Sequence, residues 1–269
     1  MFAIPAHLGP PAPAPVMAIL VAGQTLPAIA RARSGDFPRF IRERTGEAWP
    51  GRWVVHDVRG AAPLPGPRDA DGFIMTGSSS SVTEGAPWML RAQELIRRIV
   101  AARVPLFGVC FGHQMIAQAL GGSVTRNPRG REIGTVRVTR TADDFLSAGL
   151  PRVFDVQATH VDAVTRLPPG ARVLATTALD PAAAFAVGDR VRGVQFHPEM
   201  DADIMRGYLA ARAEILRGEG LDPAAMTAGV HDGTRGHDML RSFARMTAAI
   251  SAAAAAPCRA RAAPAAYSA

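Results

Sequence analysis

A single cysteine, Cys110, lies between two glycines in the run Gly108-Val109-Cys110-Phe111-Gly112, after an apolar stretch at 104–107 and before residues with helical patterning. This is the G-x-nucleophile-x-G form of a nucleophile elbow, with cysteine where many hydrolases carry serine. Glycines around such a turn let the chain bend sharply and let the next helix approach the sheet, while the nucleophile projects into a crevice. Free N–H groups and the helix dipole at the start of that helix favour a thiolate, and the same N–H groups can receive an oxyanion. A thiolate in this role needs one group to accept and return a proton and another to orient it. Among the seven histidines, His197 has a carboxylate, Glu199, two residues away at a strand end. Residues 191–196 read as a strand reaching His197, and Pro198 stops it and spaces His197 from Glu199. Side chains two apart on extended chain point to one side, so Glu199 can orient the imidazole.

The elements that must hold these residues follow from periodicity. Strand candidates at 53–58, 72–77 and 104–109 alternate with helical stretches, one carrying Leu95, Ile96, Ile99 and Val100 at helix spacing. That alternation predicts an α/β fold of flavodoxin-like kind, a doubly wound, mostly parallel sheet flanked by helices. Strand-like runs at 135–140, 154–160, 171–177, 183–188 and 191–196 predict a small antiparallel section attached to it. Helices over about 201–217 and 237–250 close the chain, the second carrying Met239, Leu240, Phe243 and Met246 on one face that is expected to dock on the catalytic domain. The Ala/Pro-biased ends, 1–16 and 254–269, are expected to be disordered, with Cys258 in the tail.

Composition excludes several classes. The chain has 269 residues, 48% of them hydrophobic, enough for a packed core. All 30 basic residues are arginine, so a Walker A loop and a Schiff-base lysine are both ruled out. Those arginines are scattered from Arg31 to Arg261 rather than clustered, and no nucleic-acid partner is expected despite a net charge of +7. Two cysteines without metal-ligand spacing fit a reducing, cytoplasmic setting, and neither a metal nor an organic cofactor is signalled. No basic residue precedes Arg31, and the apolar stretch from Val16 is soon broken by polar residues and Pro27, so no signal peptide or membrane span is expected.

The stretches 108–122 and 193–199 resemble class I, triad-type glutamine amidotransferases, and are similar in content, order and separation to the glutamine-hydrolysing domain of GMP synthetase. The resemblance extends more thinly from about Met17 to Tyr208, and residues 127–138 resemble what free-standing members carry after the elbow helix. It implies a glutamine amidotransferase domain over 17–217, followed by a helical extension over 218–253. It implies Cys110 as nucleophile, His197 as general acid/base and Glu199 as its orienter. A loop after the third strand would supply one oxyanion N–H from Gly77 or Ser78, and Phe111 the other, although Ser78 and Ser79 stand where the family has Gly-Pro. Gln114 would hold the amino-acid end of the substrate, and Thr159, His160 and Asp162 would line the same pocket, His160 alternatively bonding a neighbouring carbonyl.

The implied reaction is hydrolysis of the glutamine γ-carboxamide through a thioester, without cofactor. About sixty residues follow Tyr208, too few for a synthetase, so the ammonia is expected to reach an acceptor site on a separate chain. Two alternatives remain at this stage. One is a γ-glutamyl peptidase or hydrolase acting on γ-glutamyl compounds, and the other is a non-catalytic binding or regulatory subunit.

Overall fold

The computed structural model describes residues 13–233 and 235–260; the disorder expected of 1–12 and 261–269 lies outside the described residues. In chain order the strands are β1 (Val16–Val21), β2 (Arg52–Asp57), β3 (Gly72–Met75), β4 (Leu106–Val109), β5 (Ser123–Arg126), β6 (Glu132–Arg140), β7 (Val153–His160), β8 (Asp162–Arg166), β9 (Arg172–Thr176), β10 (Ala184–Val187) and β11 (Val191–Val194). The helices are α1 (Pro27–Ala32), α2 (Phe37–Thr45), α3 (Pro87–Ala101), α4 (Phe111–Ala119), α5 (Ala202–Ala211), α6 (Ala213–Gly218), α7 (Pro223–Ala228) and α8 (Gly236–Ala260).

Nine strands form one sheet in the order β2-β1-β3-β4-β11-β10-β9-β6-β7. The first five are mutually parallel. From β11 outward the pairing turns antiparallel, which is the attached section the sequence predicts. β5 and β8 pair separately as a two-stranded sheet; neither was foreseen, because runs of four or five residues carrying arginine and threonine give little period-2 signal.

Both faces of the parallel strands are buried, and alternate residues enter opposite cores. Ala18, Leu20, Phe73 and Met75 join Leu95, Ile96, Ile99 of α3 and Met115, Ile116 of α4. Met17, Ile19, Ile74 and Phe107 instead meet Met239, Leu240 and Phe243 of α8. The Phe107 and Phe243 rings lie 5.2 Å apart between centroids. Because Phe243 is fully buried, Phe243→Ala is expected to cost about 3–5 kcal/mol. A calorimetric scan should show the melting temperature falling by roughly 10 °C; an unchanged value would mean that α8 is not part of the cooperative core.

Three sequence expectations need correction. The first strand begins at Val16, inside the stretch read as an extension, because Val16 itself pairs with Arg52. The helix expected over 201–217 is two helices broken at Arg212. The last helix runs to Ala260 rather than ending near Ile250, so residues 254–260 of the expected disordered tail are helical; the alanine run 252–256 has the highest intrinsic helix propensity and extends α8.

Candidate active site

Cys110 joins β4 directly to α4 and takes φ +50° and ψ −101°, a strained conformation for a residue with a Cβ. The bend is therefore carried by the cysteine, and the flanking glycines serve close approach instead. A Cβ on Gly108 would lie 2.5 Å from the Gly112 carbonyl, and one on Gly112 would lie 2.4 Å from the Met75 carbonyl oxygen. The Cys110 N–H donates to the Val194 carbonyl at 2.8 Å, tying the elbow to β11. Phe111 opens α4, so its N–H has no partner within the helix.

β11 ends at Val194, three residues short of the expected end, and His197 sits on the turn that follows. Its backbone N–H donates to the Gln157 carbonyl at 2.7 Å. Its Nδ1–H donates to Glu199 Oε1 at 2.7 Å, which leaves Nε2 free for chemistry. Phe37 stacks against the imidazole at 6.3 Å between centroids. Burial opposes charging this ring, but the Glu199 carboxylate and the Cys110 sulfur overcome it and raise the His197 pKa to about 10. His113, by contrast, is held neutral by complete burial, its pKa pushed down to about 3, so it is no rival as a base.

His160 ends β7, lines the pocket and also bonds a neighbouring carbonyl. Its Nδ1 lies 3.0 Å from the Asp162 carbonyl oxygen and its Nε2 lies 3.0 Å from Glu132 Oε2. With Glu132 ionised both partners accept, an arrangement that favours hydrogen on both ring nitrogens. Burial works against this charge, but Glu132 and Cys110 outweigh it and raise the pKa.

All ten residues singled out from the sequence converge. Ser78, Cys110, Phe111, Gln114, Thr159, His160 and Asp162 line a pocket of about 360 Å³. Gly77 backs it so closely that a Cβ there would lie 3.0 Å from the His197 ring, and Glu199 stands behind His197. Ser78 and Ser79 avoid positive φ, so their replacement of glycine and proline introduces no backbone strain. Thr76 steadies this loop: its hydroxyl accepts from the Ala22 N–H and donates to the Gly77 carbonyl. Gln114 uses its amide N–H groups on the Asp162 carbonyl and Gln195 Oε1, each at 3.0 Å, which leaves its own oxygen open as an acceptor. The Asp162 carboxylate is engaged by the Ser81 hydroxyl.

Three participants were missed in the sequence. Gln195, fully buried, donates to Cys110 Sγ at 3.5 Å while accepting from Gln114. Glu132 pairs with His160 directly across β6 and β7. Arg212 reaches the pocket from the break between α5 and α6. Gln195 lies two residues before His197, and that proximity was the available signal. Among the described residues no group of three or more metal-ligating side chains occurs, and no helix is long and apolar enough to cross a membrane.

A strained cysteine at a strand–helix junction, beside a histidine charged by a carboxylate, can perform nucleophilic acyl transfer. Residues 61–211, more than half the chain, match the family model of class-I glutamine amidotransferases. The chain belongs to that family. Among its relatives, GMP synthase [glutamine-hydrolyzing] of Thermomicrobium roseum is 42% identical over 143 residues, covering 51% of this chain and 26% of that protein. The chain thus spans about a quarter of the length of that relative. Gamma-glutamyl peptidase 4 of Arabidopsis thaliana is 29% identical over 168 residues, covering 60% and 65% of the two chains. The solved structure of a glutamine amidotransferase from Methylobacillus flagellatus superposes with a TM-score of 0.65 at 28% identity, covering 88% of this chain and 94% of that one. This amidotransferase chain therefore shares its doubly wound sheet with that solved structure.

Proposed function

We propose that this chain hydrolyses the γ-carboxamide of L-glutamine through a γ-glutamyl thioester on Cys110 and releases ammonia to an acceptor site on a separate synthetase chain. The observation that carries the reading is Cys110 strained at the elbow with His197 charged against it by Glu199. The thiolate attacks the γ-carbonyl carbon, and the carbonyl oxygen takes up negative charge against the N–H groups of Phe111 and of Gly77 or Ser78. The imidazolium of His197 gives its Nε2 proton to the departing nitrogen, the C–N bond breaks, and ammonia leaves. His197, now neutral, takes a proton from water; the resulting hydroxide attacks the thioester carbon and expels the thiolate with glutamate as product. Glu199 holds the imidazole and offsets its charge throughout. The Gln114 oxygen is placed to accept from the substrate ammonium, and Thr159, His160 and Asp162 close the same side.

The acceptor chain is supported by the names and lengths of the GMP synthases, which hydrolyse glutamine by name and of which this chain matches about a quarter. A free thiol nucleophile needs reducing surroundings, and we place the reaction in the cytoplasm on that ground. A purely binding role would not require a carboxylate-paired imidazole beside the thiol. The test is labelling with 6-diazo-5-oxo-norleucine beside an assay of ammonia and glutamate release. A single adduct on Cys110, suppressed by glutamine, together with release of both products is expected. An unlabelled Cys110 and no product would sink the reading.

A further inference from the structure

Gln195 follows β11 and is 1% exposed. Its backbone N–H donates to the Ala183 carbonyl at 2.8 Å, so the side chain starts from a fixed point. An amide has a donor end and an acceptor end, and here a group that can only accept decides which end faces which neighbour. That group is the Asp162 carbonyl. Gln114 reaches it at 3.0 Å and must present its amide nitrogen. His160 Nδ1 lies 3.0 Å from the same oxygen, with Glu132 behind the ring, so the carbonyl is held in place. The end of Gln195 that meets the Gln114 nitrogen at 3.0 Å is therefore its oxygen. This turns the Gln195 amide nitrogen to Cys110 Sγ, 3.5 Å away.

The contacts of the sulfur with Thr159 and with Gln195 suit different protonation states. The Thr159 carbonyl, 3.9 Å away, accepts from a thiol and offers nothing to a thiolate. The Gln195 N–H donates to a thiolate, and a hydrogen bond to a charged group is worth about 10- to 100-fold in an equilibrium. The titratable and charged groups that face the sulfur come from several elements: His197 on the turn after β11, His160 on β7, Tyr208 on α5 and Arg212 at the break between α5 and α6. These act on it through charge. Gln195 does not titrate and acts by direct contact.

We infer that Gln195 is a further catalytic residue of this centre: the nitrogen end of its amide holds the Cys110 thiolate, and the oxygen end keeps Gln114 turned with its own oxygen toward the substrate. This rests on the acyl-transfer reading above and deepens it. In the second half of the reaction hydroxide adds to the thioester carbon, the C–S bond breaks and its electron pair stays on sulfur, where the Gln195 N–H already stands to receive the charge. One side chain thus joins the group that recognises the substrate to the group that attacks it. Turning the Gln195 amide over would set two acceptors against a thiolate-bearing site and two donors against each other at Gln114.

The test uses Gln195→Met, which fills a similar volume with neither donor nor acceptor, and Gln195→Glu, which keeps an acceptor toward Gln114 in either protonation state. Iodoacetamide is small and reacts with the thiolate without needing Gln114. Its pH profile of Cys110 alkylation should move to higher pH by about one to two units in Gln195→Met, the worth of the lost bond. The same variant should lower kcat for glutamine and raise KM about fivefold, as loss of one neutral hydrogen bond does. In Gln195→Glu the KM should return to within about twofold of the parent. A merely structural residue would not divide its effects in this way. An unshifted alkylation profile in a folded Gln195→Met overturns the inference, and so does a Gln195→Glu variant whose KM is as poor as that of Gln195→Met. Should Gln195→Glu not fold, the alkylation profile of Gln195→Met decides alone. If the parent alkylates at Cys110 yet turns over no glutamine, the acyl-transfer reading has failed, and the alkylation comparison still decides whether Gln195 holds the thiolate.

Discussion

Cys110→Ala is expected to lower glutamine turnover by about 10⁵-fold or more, the scale at which loss of a covalent nucleophile is felt when the rest of its relay remains. No other side chain can replace it. Gln195 and Thr159, the hydrogen-bond partners of its sulfur, present an amide nitrogen and a backbone carbonyl, neither of which is a nucleophile. Ammonia release by the purified variant measures this directly, and residual turnover within tenfold of the parent would place the chemistry elsewhere. The same substitution should be visible on His197. Its imidazole is raised from 6.5 to about 10 by Glu199 and by Cys110, against burial. Removing the sulfur removes one of the two supports, so an NMR titration of the imidazole should move to lower pH in Cys110→Ala. Linkage has a fixed sign here. The charged ring contributes stability fully below its ordinary value of 6.5, and that contribution is lost as pH rises through about 10. The variant should therefore lose less stability than the parent on the alkaline side.

Gly112→Ala is the second large effect, and it acts through the backbone. The added methyl would stand 2.4 Å from the Met75 carbonyl oxygen and 2.9 Å from its carbon, both main-chain atoms of β3 that no rotamer change can move aside. Helix α4 would have to lift from the sheet at its first turn, where the Phe111 N–H proposed to receive the oxyanion lies. We expect at least about 3 kcal/mol of destabilisation, which corresponds to a melting temperature lower by roughly 6–12 °C. Activity should fall further than stability explains, because a shift of about 1 Å in a reactive group costs on the order of 100-fold. Calorimetry paired with glutaminase assays well below the melting point separates the two. Parent-like stability would show that the helix can give at this point.

The elbow was legible in the sequence because its requirements are local: a nucleophile, two glycines, a strand before and a helix after. His197 and Glu199 were legible for the same reason, being neighbours on one short turn. What the sequence did not yield depends on chain segments meeting in space. Gln195 reaches Cys110 because β11 runs parallel to β4 with Val194 opposite Val109, and nothing in a linear reading sets that register. Glu132 becomes the partner of His160 only through the antiparallel pairing of β6 with β7. Arg212 was hidden inside what read as one continuous helix; the chain there leaves helical geometry, at φ −108° and ψ +7°, and turns the guanidinium inward to the pocket. The role of Gly108 and Gly112 also changed on seeing the fold. The sharp turn falls on the cysteine, and the glycines are there so that helix and strand can touch.

The start of α8 lies against the histidine turn: a Cβ on Gly236 would be 3.1 Å from the Cα of Pro198, the residue between His197 and Glu199. The neighbouring Arg235 N–H is bonded to the Asp155 carbonyl on β7. The helix that seals one face of the sheet is therefore also the backstop of the proposed proton relay. Levering it away, whether by a bulky C-terminal fusion or by a protease nick in the segment leading into it, tilts the imidazole before it uncovers the core. Limited digestion should consequently silence the enzyme while the sheet is still intact, so the two losses would be separable in time.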